Sequence, residues 1–384
     1  MSSQPEAIEP LAVEYPGGSY SVLVGSGLLE RLGPLVRALG TAIADRFLLV
    51  TDENVEPLYA DPVLRSLQSA GYRASVFVLP AGEGSKQLSQ LSDVYQACVQ
   101  RGLDRRSAIL ALGGGVVGDV AGFAAATFLR GLPFVQIPTT LLAMVDSSIG
   151  GKVGVDLPQG KNLVGAFKQP LAVFVDTACL SSLPARQLRA GAAEIAKAAL
   201  LSGDACLVDV ERLAHSVETH GWISTETSPL LLRAVRAALL CKRDIVVADP
   251  FEQGPRALLN LGHTFAHAIE VWSRYEIPHG EAVALGILCA LRLSHARGLC
   301  EPALVTRIHA LLNRLRLPVK LARAGLCAHE ILACMQTDKK RKGTALRFIL
   351  LRQPGAAFIE DSVGEAEVLA VLRELDPKPS SDRS

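Results

Sequence analysis

The sequence predicts an α/β protein: a Rossmann-like, nucleotide-binding N-terminal domain over residues 1–176, followed by a mostly α-helical domain over 177–384. Three observations carry this prediction. Between about 20 and 175, brief apolar runs closed by turn formers alternate with stretches of helical period, the mark of parallel βαβ units. At 110–126 one of these runs ends in a glycine cluster that opens a small-residue helix. After about 177 the rhythm becomes helical throughout.

Taken in order, RFLLVTDENV (46–55), ASVFVLP (74–80), SAILALGGG (107–115), PFVQIPTT (133–140) and LAVFVD (171–176) read as strands. VLRSLQSAG (63–71) and LSQLSDVYQACVQRG (88–102) read as helices, the second closed by Gly102. In the second half, 185–201, 228–247, 264–275, 281–298 and 302–316 are amphipathic or buried helices. The junction of two such domains is the default place for a ligand. The tail from about 376, DPKPSSDRS, is polar and rich in Pro and Ser, and is expected to be disordered.

Composition narrows the function. A chain of 384 residues with 49% apolar and 20% charged residues builds large cores. Thirty-nine Lys and Arg against 38 Asp and Glu leave a net charge of +1, so no global field recruits nucleic acid or a membrane. Aromatics at 5% are too few for a base-stacking platform. The eight cysteines form no CxxC pair and read as thiols of a reducing compartment, so a cytoplasmic location is expected. The first ten residues lack the pattern of a signal peptide. The apolar stretch 108–129 contains Asp119 and five glycines, which argues against a spanning helix.

Three segments could carry chemistry. In LALGGGVVGDVAGFAAA (110–126), Gly113-Gly114-Gly115 closes a strand and Gly118-Asp119 leads into a helix. Glycines there admit a pyrophosphate to backbone N–H groups, although tight strand–helix packing would ask for the same residues. Glu83 and Lys86 in AGEGSK, and Thr139-Thr140, follow predicted strands, where ligands of parallel sheets gather. In DSSIGGKVGVDLPQGKNLVGAF (146–167), Lys152 and Lys161 stand beside glycines in what reads as a long polar loop, flanked by Asp146 and Asn162. Such lysines suit a phosphorylated substrate. The third segment holds His263, His267 and His279. His263 and His267 are i and i+4 on one helix face, and Glu194 with Lys197 lies upstream in an Ala-rich helix. A Glu with two His would leave a divalent metal an open position; a plain Glu194–Lys197 helix salt bridge is the alternative. KKRK at 339–342 is a basic patch, but a neutral chain poor in aromatics argues against nucleic-acid binding.

Together, GGGVVGD at 113, PTTLLAMVDSSIGGK at 138, GKNLVGAF at 160, AEIAK at 193, LNLGHTFAHAIE at 259 and HGEAVALG at 279 resemble the dehydroquinate synthase family of sugar phosphate cyclases. The six motifs occur in family order over most of the chain. Departures are Ala81 for a frequent Asp, Val153 and Asp156 for Thr and Asn, Pro250 for Glu and Ala266 for Gly. The resemblance implies NAD+ and a divalent metal (Zn2+ or Co2+), a phosphorylated sugar acid as substrate, and a homodimer. The implied metal ligands are Glu194, His263 and His279, with His267 moved from ligand to phosphate and proton-transfer partner. Implied cofactor contacts are Asp52, Asn54, Glu83, Gly84, Lys86, the run Gly114, Gly115, Val116, Val117, Gly118 and Asp119, then Thr139, Thr140, Asp146, Ser147, Lys152 and Lys161. Cys179, Leu180, Ser181 and Ser182 complete them. Implied substrate and catalytic residues are Lys152, Asn162, Lys197, Lys242, Arg256, Asn260, His267 and one or both of Lys339 and Lys340, with Arg130 contributed across the dimer interface.

The family reaction converts 3-deoxy-D-arabino-heptulosonate 7-phosphate to 3-dehydroquinate and phosphate. Rival readings are a cyclase making an inosose or a valiolone, a metal-dependent NAD polyol dehydrogenase of related fold, and a nucleotide-binding regulatory protein without catalysis. Arg256, Lys242 and Asn162 suit a carboxylated substrate, Lys152 and Lys161 a phosphate, and the complete metal set argues against the regulatory protein.

Overall fold

The computed structural model describes residues 10–40, 45–321, 328–342 and 346–376, with side chains of 337–342 outside that description. The first nine residues and the tail 377–384, where disorder is expected, lie outside the described residues. The chain forms two compact units, Met1–Leu183 and Pro184–Ser384.

The first unit contains strands β1 (Leu11–Tyr15), β2 (Gly18–Gly25), β3 (Arg46–Asp52), β4 (Arg73–Leu79), β5 (Ala108–Gly113), β6 (Phe134–Pro138), β7 (Lys152–Leu157), β8 (Gly160–Phe167) and β9 (Ala172–Asp176). Its helices are α1 (Leu32–Ala38), α2 (Asp61–Ser69), α3 (Leu88–Gln100) and α4 (Gly115–Thr127). Seven strands make one sheet in the order β1-β2-β9-β6-β5-β3-β4, parallel except for the β1–β2 pair. β5, β6 and β9 are buried along their whole length, which explains why their sequences are unbroken apolar runs. From β3 the chain steps outward to β4; from β5 it steps the other way to β6. The order therefore reverses between β3 and β5, and Asp52 and Gly113 end the two strands at that switch point.

Two elements differ from expectation. The β1–β2 hairpin, turning at Pro16-Gly17 with Gly17 at φ +101°, extends the sheet before the first expected strand. The expected polar loop at 152–167 is instead the antiparallel hairpin β7–β8. Gly154 and Gly165 face each other across it so closely that a Cβ on either would lie 2.5 or 2.3 Å from the opposite backbone carbonyl. The ladder breaks between Val155 and Leu157, leaving residues 161–163 as a bulge, and that irregularity erased the alternation by which a strand is recognised.

The second unit comprises α5 (Ala185–Ser202), α6 (Asp204–His220), α7 (Thr227–Ala248), α8 (His263–Trp272), α9 (His279–Ala296), α10 (Pro302–Arg314), α11 (Ala328–Lys342), the short hairpin β10 (Phe348–Leu351) with β11 (Ala357–Glu360), and α12 (Glu365–Arg373). All five predicted helices are present. α9 is apolar around its circumference because α5, α8, α10 and α12 pack on it. Two glycines allow the closest approaches. A Cβ on Gly280 would fall 2.3 Å from the Ala190 backbone, and one on Gly286 2.2 Å from the Gly262 carbonyl. These contacts bring the first residues of α9 and α8, which are His279 and His263, toward α5.

Candidate functional site

The second unit holds a buried cluster built from three helices. Glu194 on α5 is 2% exposed, and its Oε1 lies 3.6 Å from Nε2 of His263 and 3.4 Å from Nε2 of His279. One donor atom from each of the three residues falls within 4.8 Å of the others. Lys197, one turn along α5, pairs with Glu194 Oε2. Burial opposes ionisation of Glu194, but Lys197 and the two imidazoles hold its pKa well below the usual carboxylate range. Burial and the neighbouring Lys197 push His263 down to about 3. His279 is also disfavoured as a cation by burial, yet hydrogen bonds to Glu194 and Glu270 raise it to about 10.

The donor set fits a divalent cation. Both Glu194 oxygens are sealed from solvent, Oε2 against Lys197 and Oε1 facing the two Nε2 atoms at 3.4 and 3.6 Å, a donor arrangement that a cation would complete. His263 Nδ1 lies 3.2 Å from the Leu261 carbonyl and His279 Nδ1 lies 3.3 Å from Glu270 Oε1. A carbonyl and a carboxylate can only accept, so each Nδ1 carries the proton and each Nε2 is turned toward Glu194. The proton on His279 Nε2 would be displaced on metal binding. The Glu194–Lys197 pair therefore exists, but within a ligand set rather than as a plain surface bridge. His267 lies outside the set, its ring centre 5.4 Å from that of His263 and 6.4 Å from that of His279. The pairing suggested by i,i+4 spacing is thus replaced by a pair from two helices.

In the same unit, Lys242 on α7 and Arg256 are buried. The loop carrying Arg256 is organised by Asp249, whose carboxylate accepts from the backbone N–H groups of Gln253, Gly254 and Arg256. Arg256 Nη1 donates to the carbonyl of Pro250 at 2.5 Å; being a backbone contact, it tolerates the departure at that position. Asn260 Nδ2 approaches Glu252 Oε1 at 3.4 Å. Lys339 and Lys340 lie on α11, but their side chains are outside the described residues.

In the first unit, polar residues collect at the ends of the strands flanking the switch point. Asp52 accepts from the N–H groups of Asn54 and Val55, and burial raises its pKa. Gly114, Gly115 and Val116 at the start of α4 are partly exposed, whereas Val117 and Gly118 are buried. A Cβ on Gly118 would sit 2.9 Å from Gln136 Oε1 on β6. The packing reading of the glycine cluster holds at Gly118, while the backbone at 114–116 is accessible. Lys86 Nζ bridges Asp119 and Asn162 Oδ1, each at 2.5 Å. Burial raises the Asp119 pKa against the pull of Lys86. Lys161 Nζ lies 3.2 Å from Glu83 Oε1, beside Gly84. The β8 bulge makes these pairings possible by placing Asn162 at φ +57°, pinned by its N–H to Asp156 Oδ1 at 2.7 Å.

The remaining sites are placed as follows. Thr139 and Thr140 follow β6; the Thr139 hydroxyl is buried without a partner, and Thr140 Oγ1 accepts from Ala143 N. Asp146 and Ser147 occupy the helical turn Ala143–Ser147, with Ser147 Oγ 3.2 Å from where a Gly115 Cβ would be. Cys179 and Leu180 are buried in the turn Thr177–Ser182. Ser181 caps the Ala178 carbonyl, and Ser182 meets the Tyr59 hydroxyl at 2.5 Å. Lys152 and Arg130 are exposed, and Arg130 follows Leu129 in left-handed backbone, at φ +68° and +49°. Sequence reasoning overlooked Tyr59, Asp249 and Glu270. Glu270 closes the LNLGHTFAHAIE motif without a spacing that sets it apart there, and all three are recognisable by their partners in space.

Family models describing the N-terminal and C-terminal regions of 3-dehydroquinate synthase match residues 76–190 and 191–341. A protein of Symbiobacterium thermophilum named 3-dehydroquinate synthase is 45% identical, covering 90% of this chain and 94% of its own. One of the same name from Desulforamulus reducens is 42% identical, covering 94% and 99%. Among solved structures, 2-deoxy-scyllo-inosose synthase complexed with carbaglucose-6-phosphate, NAD+ and Co2+ matches with a TM-score of 0.81 at 26% identity, covering 95% of this chain and 100% of that one. A 2-epi-5-epi-valiolone synthase from Streptomyces hygroscopicus with NAD+ and Zn2+ bound gives 0.80 at 30%, covering 98% of each. No described helix is long and apolar enough to cross a membrane.

Proposed function

Because the chain belongs to the 3-dehydroquinate synthase family, we propose that it converts 3-deoxy-D-arabino-heptulosonate 7-phosphate into 3-dehydroquinate and phosphate, with NAD+ and a divalent cation, zinc or cobalt. The carrying observation is the cluster of Glu194, His263 and His279, whose ligand atoms lie within 4.8 Å of one another; three protein ligands are what a catalytic zinc takes when substrate or water fills the fourth position. When bound, NAD+ would take a hydride from C5 and return it, the two transfers bracketing phosphate elimination and preceding ring opening and aldol closure, and the cation would supply Lewis-acid polarisation of the C5 hydroxyl.

This chain's own residues do the rest. The backbone at Gly114 to Val116 and the polar groups at 52–54, 83–86, 119, 139–147, 161 and 179–182 are our assignment for NAD+. Lys242, Arg256 and Asn260 suit the substrate carboxylate and hydroxyls, because fixed cations bind such oxygens by charge-assisted hydrogen bonds. Lys197 holds the Glu194 carboxylate ionised, and Asn162 is offered to substrate hydroxyls. Lys152 and His267 are assigned to the phosphate, with His267 able to hold or pass a proton there. Lys339 or Lys340 would add to these contacts. In this reading the enzyme is a cytoplasmic homodimer in which Arg130 serves the partner's substrate phosphate.

The nearest rival is a cyclase acting on a different sugar phosphate. Identities of 26–30% to the inosose and valiolone synthases, against 42–45% to the dehydroquinate synthases, favour the carboxylated substrate. The test follows phosphate and NADH together on incubation with the heptulosonate phosphate. Phosphate release with no net NADH is expected, since the hydride is borrowed and returned. Stoichiometric NADH would establish a dehydrogenase instead, and absence of phosphate release would reject the substrate.

A further inference from the structure

The two imidazoles of the cluster are oriented by unequal partners. His263 Nδ1 meets a neutral backbone carbonyl, whereas His279 Nδ1 meets the carboxylate of Glu270. Glu270 stands seven residues after His263 on α8, two turns along the same face. Its side chain is 9% exposed, an unfavourable location for a carboxylate unless its charge is used. We infer that Glu270 is a positioning residue for the metal: it fixes His279 with the proton on Nδ1, aims Nε2 at the position beside Glu194 Oε1, and makes His279 the stronger donor of the two imidazoles. Carboxylates bonded to the outer nitrogen of a metal-binding imidazole act this way, and their loss typically costs about 10- to 100-fold in metal affinity. Leu261, contributing only a carbonyl, supplies orientation to His263 without that charge.

The inference rests on reading the cluster as a metal site, so its test includes a control for that reading. Metal-stripped parent protein and the variants His279→Ala, Glu270→Ala and Glu270→Gln are titrated with Co2+ against a chromogenic chelator, while the visible Co2+ spectrum is recorded. Glu270→Ala is expected to weaken Co2+ binding about 10- to 100-fold with an altered Co2+ spectrum. Glu270→Gln, which keeps an acceptor but no charge, is expected to lose less, by severalfold. Melting of the metal-stripped variants establishes that they are folded. Parent-like Co2+ affinity in folded Glu270→Ala overturns the inference; should that variant not fold, parent-like affinity in Glu270→Gln does so. A parent that binds no Co2+, or one whose affinity is unaffected by His279→Ala, overturns the metal reading and this inference together, and is thereby distinguished from failure at Glu270 alone.

Discussion

The two units bring charge into their sites by opposite routes. In the first, charged residues that follow β4 meet partners from a helix and a hairpin: Lys86 with Asp119 of α4 and Asn162 of β8, Glu83 with Lys161 of β8. The sheet topology creates the place, and the backbone at Gly114 to Val116 is as much a part of it as any side chain. In the second unit the cluster is built on helices rather than at the ends of a parallel sheet. Glu194 and Lys197 are instead embedded in the middle of a helix, with side chains 2% and 5% exposed. The difference teaches that a parallel sheet gathers charged residues at its edge through topology, burying some pairs and exposing others, while the helical unit sets its charged pair inside a helix, an arrangement sensitive to the loss of one partner.

That contrast sets the largest expected effect. Glu194→Ala removes a ligand and leaves Lys197 buried without its carboxylate. We expect bound metal to be lost and turnover to fall by about three orders of magnitude or more, as several kcal/mol of Lewis-acid stabilisation disappear. Stability should fall by roughly 3–5 kcal/mol, the usual cost of breaking a buried pair. Metal analysis and denaturant titration read the two effects. A variant that keeps parental stability would show that the helical unit does not depend on the buried pair.

The next effect concerns the exposed cations of the first unit. Arg130→Ala and Lys152→Ala should each be nearly inactive, since a charge-assisted contact in a dry site is worth about 2–5 kcal/mol. Mixed with free subunit exchange, they should recover roughly a quarter of parental activity, because half the dimers are mixed and each carries one intact site. No recovery, with exchange shown independently, would place both cations in the same subunit's site and refute the contribution of Arg130 across an interface.

The same contrast explains what was legible in the sequence. Of the five strands read from the sequence, β5, β6 and β9 could be read because burial on both faces demands unbroken apolar runs, as in 108–113 and 172–176, whereas the half-exposed edge strand β4 shows through its run of Val and Phe. The β7–β8 hairpin could not, because its bulge at 161–163 interrupts the alternation that identifies a strand. Spacing alone favoured His263 with His267; the family motifs pointed instead to His279, and the structure brings that residue to Glu194 through the approach of Gly280 to Ala190. Glu270 closes the LNLGHTFAHAIE motif, but its role could not be read there because it depends on two helices meeting, and Asp249 reads as an ordinary polar residue until its three N–H donors are seen.

The smallest expected effect tests whether backbone geometry organises the first unit's site. Asp156 stands where the family usually has Asn, and its carboxylate accepts from the Asn162 N–H at 2.7 Å while its own N–H donates to the Lys86 carbonyl at 2.7 Å. It thereby ties the left-handed Asn162 to the segment bearing Lys86. The acceptor, rather than the charge, explains this link. Asp156→Asn should therefore change kcat/KM by less than about threefold, the size of a few tenths of a kcal/mol. Asp156→Ala removes the acceptor and should cost about 0.5–1.5 kcal/mol, a drop of roughly two- to tenfold. Steady-state kinetics with the heptulosonate phosphate separates the two. Equal losses in both variants would mean that the negative charge of Asp156 acts on the neighbouring lysines, making this edge of the sheet dependent on charge in the manner of the helical unit.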